Sequence, residues 1–151
     1  MSIGVPMYRT HYISEARKQL DGVVTIAGWV HEVRDLGKLK FVQVRDRTGI
    51  VQVTAKQGRE PDAVLAAMSQ PKETVVSVTG KIVASKIAEA GFELIPSEFV
   101  VLNEITTKVP FEVTGKVPAE LDVRLDFRYV DLRTANTSAI FRIILIAALL
   151  S

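Results

Sequence analysis

Two short runs in the first half of the chain hold the residues best suited to chemistry. In LKFVQVRD, residues 39–46, Val42 and Val44 alternate with Leu39, Phe41, Gln43 and Arg45. A period of two puts successive side chains on opposite faces of a strand. The valines then belong inside, and Phe41 lies on the polar side, flanked by an amide and a guanidinium. In GIVQVTA, residues 49–55, Val51 and Val53 point inward while Ile50, Gln52 and Thr54 point outward. An outward ring beside an outward amide suits an unpaired nucleic-acid base. Stacking on such a ring is worth about 1–3 kcal/mol per base. Gln52 can donate and accept together, and so can read a base edge. Arg34, Lys38 and Lys40, in and after the preceding turn, are expected to add positive charge beside this face. A structural role competes with each functional one. Phe41 is alternatively a surface covered by a terminal helix, and Gln52 an ordinary surface amide. Trp29, next to a strand glycine, is expected to pack in or over the core.

Other chemistries find little support. Cysteine is absent, which excludes disulfides and thiolate metal sites and suits a reducing compartment. The two histidines, His11 and His31, are too far apart in sequence for a metal motif. The run LDVRLDFRYVDLR alternates Asp122, Asp126 and Asp131 with Arg124, Arg128 and Arg133. Neighbouring arginines hold carboxylates ionised, the opposite of what a general acid needs. An ion-paired linker is expected there, with phosphate contact by one arginine as the alternative. The net charge of the 151 residues is only +2, so any nucleic-acid contact must come from a local face. The N-terminus has no apolar signal core. The apolar run IILIAALL, residues 143–150, is far short of the roughly 20 residues that span a bilayer. A cytoplasmic protein is expected.

The elements that must position Phe41 and Gln52 follow from periodicity. Residues 12–20 have the spacing of a short helix, with Ser14 as N-cap and Asp21-Gly22 ending it. From Val23 the period is two. VVTIAGWVHEV, LKFVQVRD and GIVQVTA read as three strands separated by turns at Asp35-Leu36-Gly37 and Arg47-Thr48-Gly49. Pro61 opens a helical stretch in which Val64, Leu65 and Met68 share a face. Two further strands, VVSVTGKIVAS and FELIPSEFVVL, flank a loop at residues 86–91. This order predicts an all-β fold, a five-stranded OB-fold Greek-key barrel with a helix between its third and fourth strands. A six-stranded barrel or a small α+β sandwich is the alternative. Gly28 and Gly80, inside strands, mark the bends or bulges a small barrel needs. The expected division is a barrel over residues 1–104, a hinge over 105–134 and a helix start over 135–151. That last helix is apolar on nearly every side and demands a partner.

GWVHEVRDLGKLKFVQVRDRTGIVQVTA, residues 28–55, closely resembles the anticodon-binding domain of class IIb aminoacyl-tRNA synthetases, the aspartyl, asparaginyl and lysyl enzymes. MYRTHYISE at 7–15 and GFELIPSEFVVLNE at 91–104 are similar to archaeal aspartyl enzymes in particular. TGKVPAELDVRLDFRYVDLRT at 114–134 resembles the family's hinge, and ANTSAIFRI at 135–143 the start of its first catalytic-domain helix. The three signature motifs that bind ATP and form the aspartyl-adenylate lie beyond this point in the family. The resemblance therefore implies a tRNA-binding module that does no catalysis itself. No cofactor is expected in this chain, since ATP and Mg would belong to the catalytic domain.

The resemblance also assigns roles. Phe41 and Gln52 match the family's stacking aromatic and base-reading glutamine, both for the central uridine of the anticodon. Arg34 matches an arginine that engages the anticodon loop, and Glu93 falls near a strand position that contacts anticodon bases. In archaeal relatives restricted to tRNA-Asp, the positions matching His31 and Glu89 tend to be Trp and Lys. The differences here imply charging of tRNA-Asn as well as tRNA-Asp. Two other functions compete: a general single-stranded nucleic-acid-binding barrel, and a fragment that self-associates through residues 138–150.

Overall fold

The computed structural model describes residues 8–150. Residues 1–7, where the expected barrel domain and the MYRTHYISE segment begin, and residue 151 lie outside the described residues. Two compact units divide between residues 106 and 107.

The first unit is a closed barrel of strands β1 (Val23–Asp35), β2 (Leu39–Arg45), β3 (Ile50–Lys56), β4 (Val75–Ala84) and β5 (Phe92–Asn103). They neighbour one another in the order β1-β2-β3-β5-β4. Only the β3–β5 pair is parallel; the others are antiparallel. The order of three meandering strands followed by two more is the expected OB arrangement. Alternation decides what is inside. Val24, Ile26, Val30, Val42, Val44, Val51, Val53, Val76, Val78, Ile82 and Leu94 are all buried in one core cluster. Each such side chain contributes about 1.5–3 kcal/mol by leaving water.

Two glycines let the barrel close. A Cβ on Gly28 would lie 2.3 Å from the Arg45 carbonyl oxygen, and one on Gly80 would lie 2.2 Å from that of Ile95. No side chain fits at either place. Gly80 also sits at a register shift in the β4–β5 ladder.

Helix α1 is shorter than its periodicity suggested, Ile13–Ala16 rather than residues 12–20. Ser14 lies within it and is not its cap. Glu15 accepts the Tyr12 backbone N–H at 2.9 Å, and the helix begins two positions earlier than a Ser14 cap requires. Beyond Arg17 the backbone continues as tight three-residue turns into Asp21, which takes a left-handed φ of 64°. The buried Asp46 carboxylate fixes where α1 docks. It accepts the Ile13 N–H at 2.9 Å, and it also holds the β2–β3 turn through Thr48 and Gly49. Helix α1 therefore closes the barrel beside that turn.

Helix α2 (Asp62–Ala67) follows Pro61, and Val64 and Met68 bury their side chains in the barrel. Lys40 secures it. The Lys40 ammonium donates to the Leu65 carbonyl at 2.9 Å and to Ser69 Oγ at 2.5 Å, and pairs with Asp35 at 3.2 Å. This corrects the expectation that Lys40 adds charge to the outer face. It shares the parity of Val42 and Val44, so its stem runs inward to the plugged end.

The second unit holds α3 (Leu121–Asp126), α4 (Arg128–Asp131) and α5 (Ala135–Leu150). The stretch read as a hinge, residues 105–134, contains two short helices. Of the expected ion pairs, those of Asp131 with Arg124 and Arg128 are present. Asp131, 1% exposed, accepts from Arg124 at 2.9 Å, from Arg128 at 3.4 Å and from Thr137 at 3.2 Å. These bonds tie α3 and α4 to the first turn of α5. Beyond Thr137 the helix exposes Ile140, Phe141, Ile143, Ile144, Leu145 and Ile146. Among the described residues no helix is long and apolar enough to cross a membrane.

Candidate nucleic-acid interface

The candidate site depends on a bulge that alternation alone did not reveal. In the β1–β2 ladder Val30 pairs with Val44, and the next pair is Glu32 with Gln43. His31 is the extra residue. A bulge of this kind shifts the phase of every later side chain. Val33 then turns toward the core, while Glu32 and Arg34 turn outward. The sequence did carry a signal, because Val30 and Val33 are three apart instead of two.

With that phase, outward residues form rows across the strands. One row is Arg34, Phe41 and Thr54. The next is Glu32, Gln43, Gln52 and Glu93, spanning β1, β2, β3 and β5. Phe41, Gln52, Thr54 and Glu93 are all partly exposed. Helix α1 lies at the β2–β3 turn, whereas Phe41 is at the other end of β2, near the β1–β2 turn. It is Arg34 that flanks the ring across the strand. Its side chain is 69% exposed and its guanidinium pairs with Glu32 only at 3.9 Å, so little holds it back from a phosphate.

Arg45 behaves differently from the sequence-based expectation. It has the outward parity, yet it is buried. Its guanidinium pairs with Glu73 at 2.7 Å, bonds His31 Nδ1 at 2.7 Å and lies 5.7 Å from the centre of the Trp29 ring. Glu73 reaches it from a turn with a φ of 71°, and sequence spacing gave no hint of this partner. A guanidinium can only donate, so His31 Nδ1 must be the acceptor in this bond. Trp29 thus packs over the surface of the barrel.

Gln52, Thr54 and Glu93 form a hydrogen-bonded group. Thr54 Oγ1 donates to Glu93 Oε2 at 2.6 Å, and Gln52 Nε2 lies 3.3 Å from both Glu93 Oε2 and Thr54 Oγ1. Glu89 is not part of the sheet. It stands exposed in the β4–β5 loop, four residues before Glu93. At the β1–β2 turn, the Asp35 carboxyl is held below its ordinary value of 3.8 by the Gly37 backbone N–H and then by Lys40. Four of the six residues singled out from sequence, Arg34, Phe41, Gln52 and Glu93, therefore share one outer face; His31 is the bulged residue bonded to Arg45, and Glu89 lies on the loop leading into β5. No group of three side chains suited to hold a metal ion occurs among the described residues.

A closed five-stranded barrel with an aromatic, amides and an arginine on its β1–β2–β3 face is the construction of an oligonucleotide-binding OB domain. The family model of the tRNA anticodon OB-fold nucleic acid binding domain matches residues 24–102, more than half of the chain. The chain belongs to that family, in the form carried by aspartyl- and asparaginyl-tRNA synthetases. It is 49% identical over 139 residues to the aspartate–tRNA(Asp) ligase of Thermococcus kodakarensis, covering 91% of this chain and 32% of the ligase. It is 49% identical over 146 residues to the aspartate–tRNA(Asp/Asn) ligase of Methanococcoides burtonii, covering 95% of this chain and 32% of that protein. A solved structure of a putative aspartyl-tRNA synthetase from Leishmania major Friedlin superposes with a TM-score of 0.81 at 27% identity. That match covers 94% of this chain and 31% of the other. The chain thus spans about a third of the length of the relatives it matches.

Proposed function

We propose that the outer face of β1, β2, β3 and β5 binds the anticodon loop of tRNA-Asp, and that of tRNA-Asn as well. One observation carries the reading: Phe41 lies partly exposed between Arg34 and Thr54, one row from Gln52 and Glu93. The ring stacks the central anticodon base, Gln52 reads that base's edge, and Arg34 meets the loop backbone. Glu93 accepts from a base amino or imino group. His31 and Glu89 stand nearest the third base. Neither supplies a contact unique to cytosine over uracil, because an ionised glutamate cannot donate. Relaxed specificity rests on these two positions, since relatives named for both specificities are 49% identical to this chain.

Aspartate activation, with its ATP and Mg, falls to the portion of such ligases outside the matched third. The role of this chain is to bind tRNA in the cytoplasm. Its exposed apolar helix α5 also favours self-association, because contiguous apolar patches of that size seek cover.

Titration of the chain with Asp anticodon stem-loops, scrambled-loop controls and oligo-dT at one salt concentration tests the reading. Tighter binding of the Asp loop than of both controls is expected. Equal affinity for all three would instead make this a general single-strand-binding barrel.

A further inference from the structure

The outer face does not stop at Arg45. Phe41, Gln43 and Arg45 step along β2 toward the β2–β3 turn, and two residues further on, in that turn, Arg47 stands exposed. Its guanidinium lies 5.6 Å from the centre of the Tyr12 ring, and that of Arg9, also exposed, lies 3.8 Å from the same centre. Backbone bonds hold this corner together. The Thr10 N–H donates to the Thr25 carbonyl at 2.8 Å and the Thr25 N–H to Thr10 Oγ1 at 2.9 Å, which straps the segment carrying Arg9 to β1. Tyr12 caps α1, which Asp46 docks beside the same turn. Two acids of the corner are already engaged. Asp46 is buried and accepts from Ile13, Thr48 and Gly49, while Glu15 accepts the Tyr12 N–H.

We propose that Arg9 and Arg47, gathered on Tyr12, form a phosphate-binding site that takes the sugar–phosphate backbone of the RNA whose loop lies on β1, β2 and β3. This deepens the anticodon reading and rests on it. A guanidinium stacked on a ring uses its flat face for that contact, and its N–H donors lie in the plane around its edge, where they match two phosphate oxygens. Stacking also restrains a long side chain before the ligand arrives, which lowers the ordering cost of binding. Two like charges gathered at one ring repel each other, and an anion beside them relieves that repulsion. Arg47 is six residues beyond Phe41, up to about 20 Å along an extended chain, so the phosphates it meets lie away from the stacked base, toward the stem. The chain also leaves the barrel at this end, since Asn103 pairs with Val75 and Val75 with Trp29.

The test is a titration of the chain with the Asp stem-loop, and with a scrambled loop on the same stem, over a series of salt concentrations. Arg9→Gln and Arg47→Gln should each flatten the slope of log affinity against log salt by about 0.7–0.9, and the double variant by about twice that. Each arginine then accounts for about threefold of the affinity lost between roughly 50 and 200 mM salt. The Asp and scrambled loops should weaken by the same factor, because a phosphate contact carries no sequence information. Arg9→Lys and Arg47→Lys keep the charge and should keep the slope. Gln variants that lose affinity at an unchanged slope would make the stack a mere staple of α1, and a loss confined to the Asp loop would make these arginines base readers. Either result overturns this inference and leaves the anticodon reading standing. Equal wild-type affinity for the two loops overturns both.

Discussion

Replacement of Phe41 by alanine separates a binding role from a packing role, and the two predict different magnitudes. The side chain points outward while Val42 and Val44 fill the core beneath it. Its structural contribution therefore reduces to cross-strand contact with Arg34 and Thr54. Such pairs are worth about 0.2–1 kcal/mol each, so Phe41→Ala should cost about 1 kcal/mol of stability. A core phenylalanine would cost about 3–5 kcal/mol. Stacking of a base on the ring is worth about 1–3 kcal/mol, or roughly 5- to 150-fold in affinity for the Asp anticodon loop. The assay is urea denaturation alongside stem-loop titration, with Val42→Ala as a core control. The control should lose about 2 kcal/mol of stability, and its folded fraction should bind normally. The reasoning fails if Phe41→Ala is as destabilising as a core truncation, or if it leaves affinity intact.

Four further outcomes are expected. Asp and Asn stem-loops should bind with nearly equal affinity, and the double change His31→Trp with Glu89→Lys should create a preference of about 1–3 kcal/mol for the Asp loop; a tenfold Asp preference in the wild type would contradict this. Sedimentation of the chain should show oligomers that disappear when it is truncated after Leu132, and a full chain monomeric at high concentration would refute the self-association of α5. Asp35→Asn should destabilise the barrel at neutral pH. The Asp35 carboxyl is held below 3.8, so its contribution is present above that pH and lost as pH falls through the folded value; a gap between variant and wild type that stays constant down to pH 2.5 would exclude the effect. Aspartate-dependent exchange of pyrophosphate into ATP should not rise above background in chain free of host synthetase.

The barrel was legible because β2, β3 and the first half of β1 alternate aliphatic residues and are punctuated by Gly-containing turns. Phe41 and Gln52 could be placed on the outer face for the same reason. Arg34 was harder. Straight alternation from Val24 to Val30 would have turned it inward, and only the bulge at His31 brings it beside Phe41. Lys40 was misplaced because charge was given more weight than parity, although its long stem can be buried when its ammonium finds partners. The clasp of Arg45 by Glu73 joins residues far apart in the chain, and no local pattern encodes it. The Thr54–Glu93 bond likewise depends on the parallel β3–β5 register, which closure of the barrel imposes.

The central claim is that one outer face, and not the rest of the barrel, meets the anticodon loop. Mapping of backbone and side-chain NMR shifts on titration with the Asp stem-loop tests it most directly. The largest changes should fall on Arg34, Phe41, Gln52, Thr54 and Glu93, with smaller ones at His31 and Glu89. Changes concentrated on Thr79, Lys81 and Glu98, on the β4–β5 side, would contradict the account.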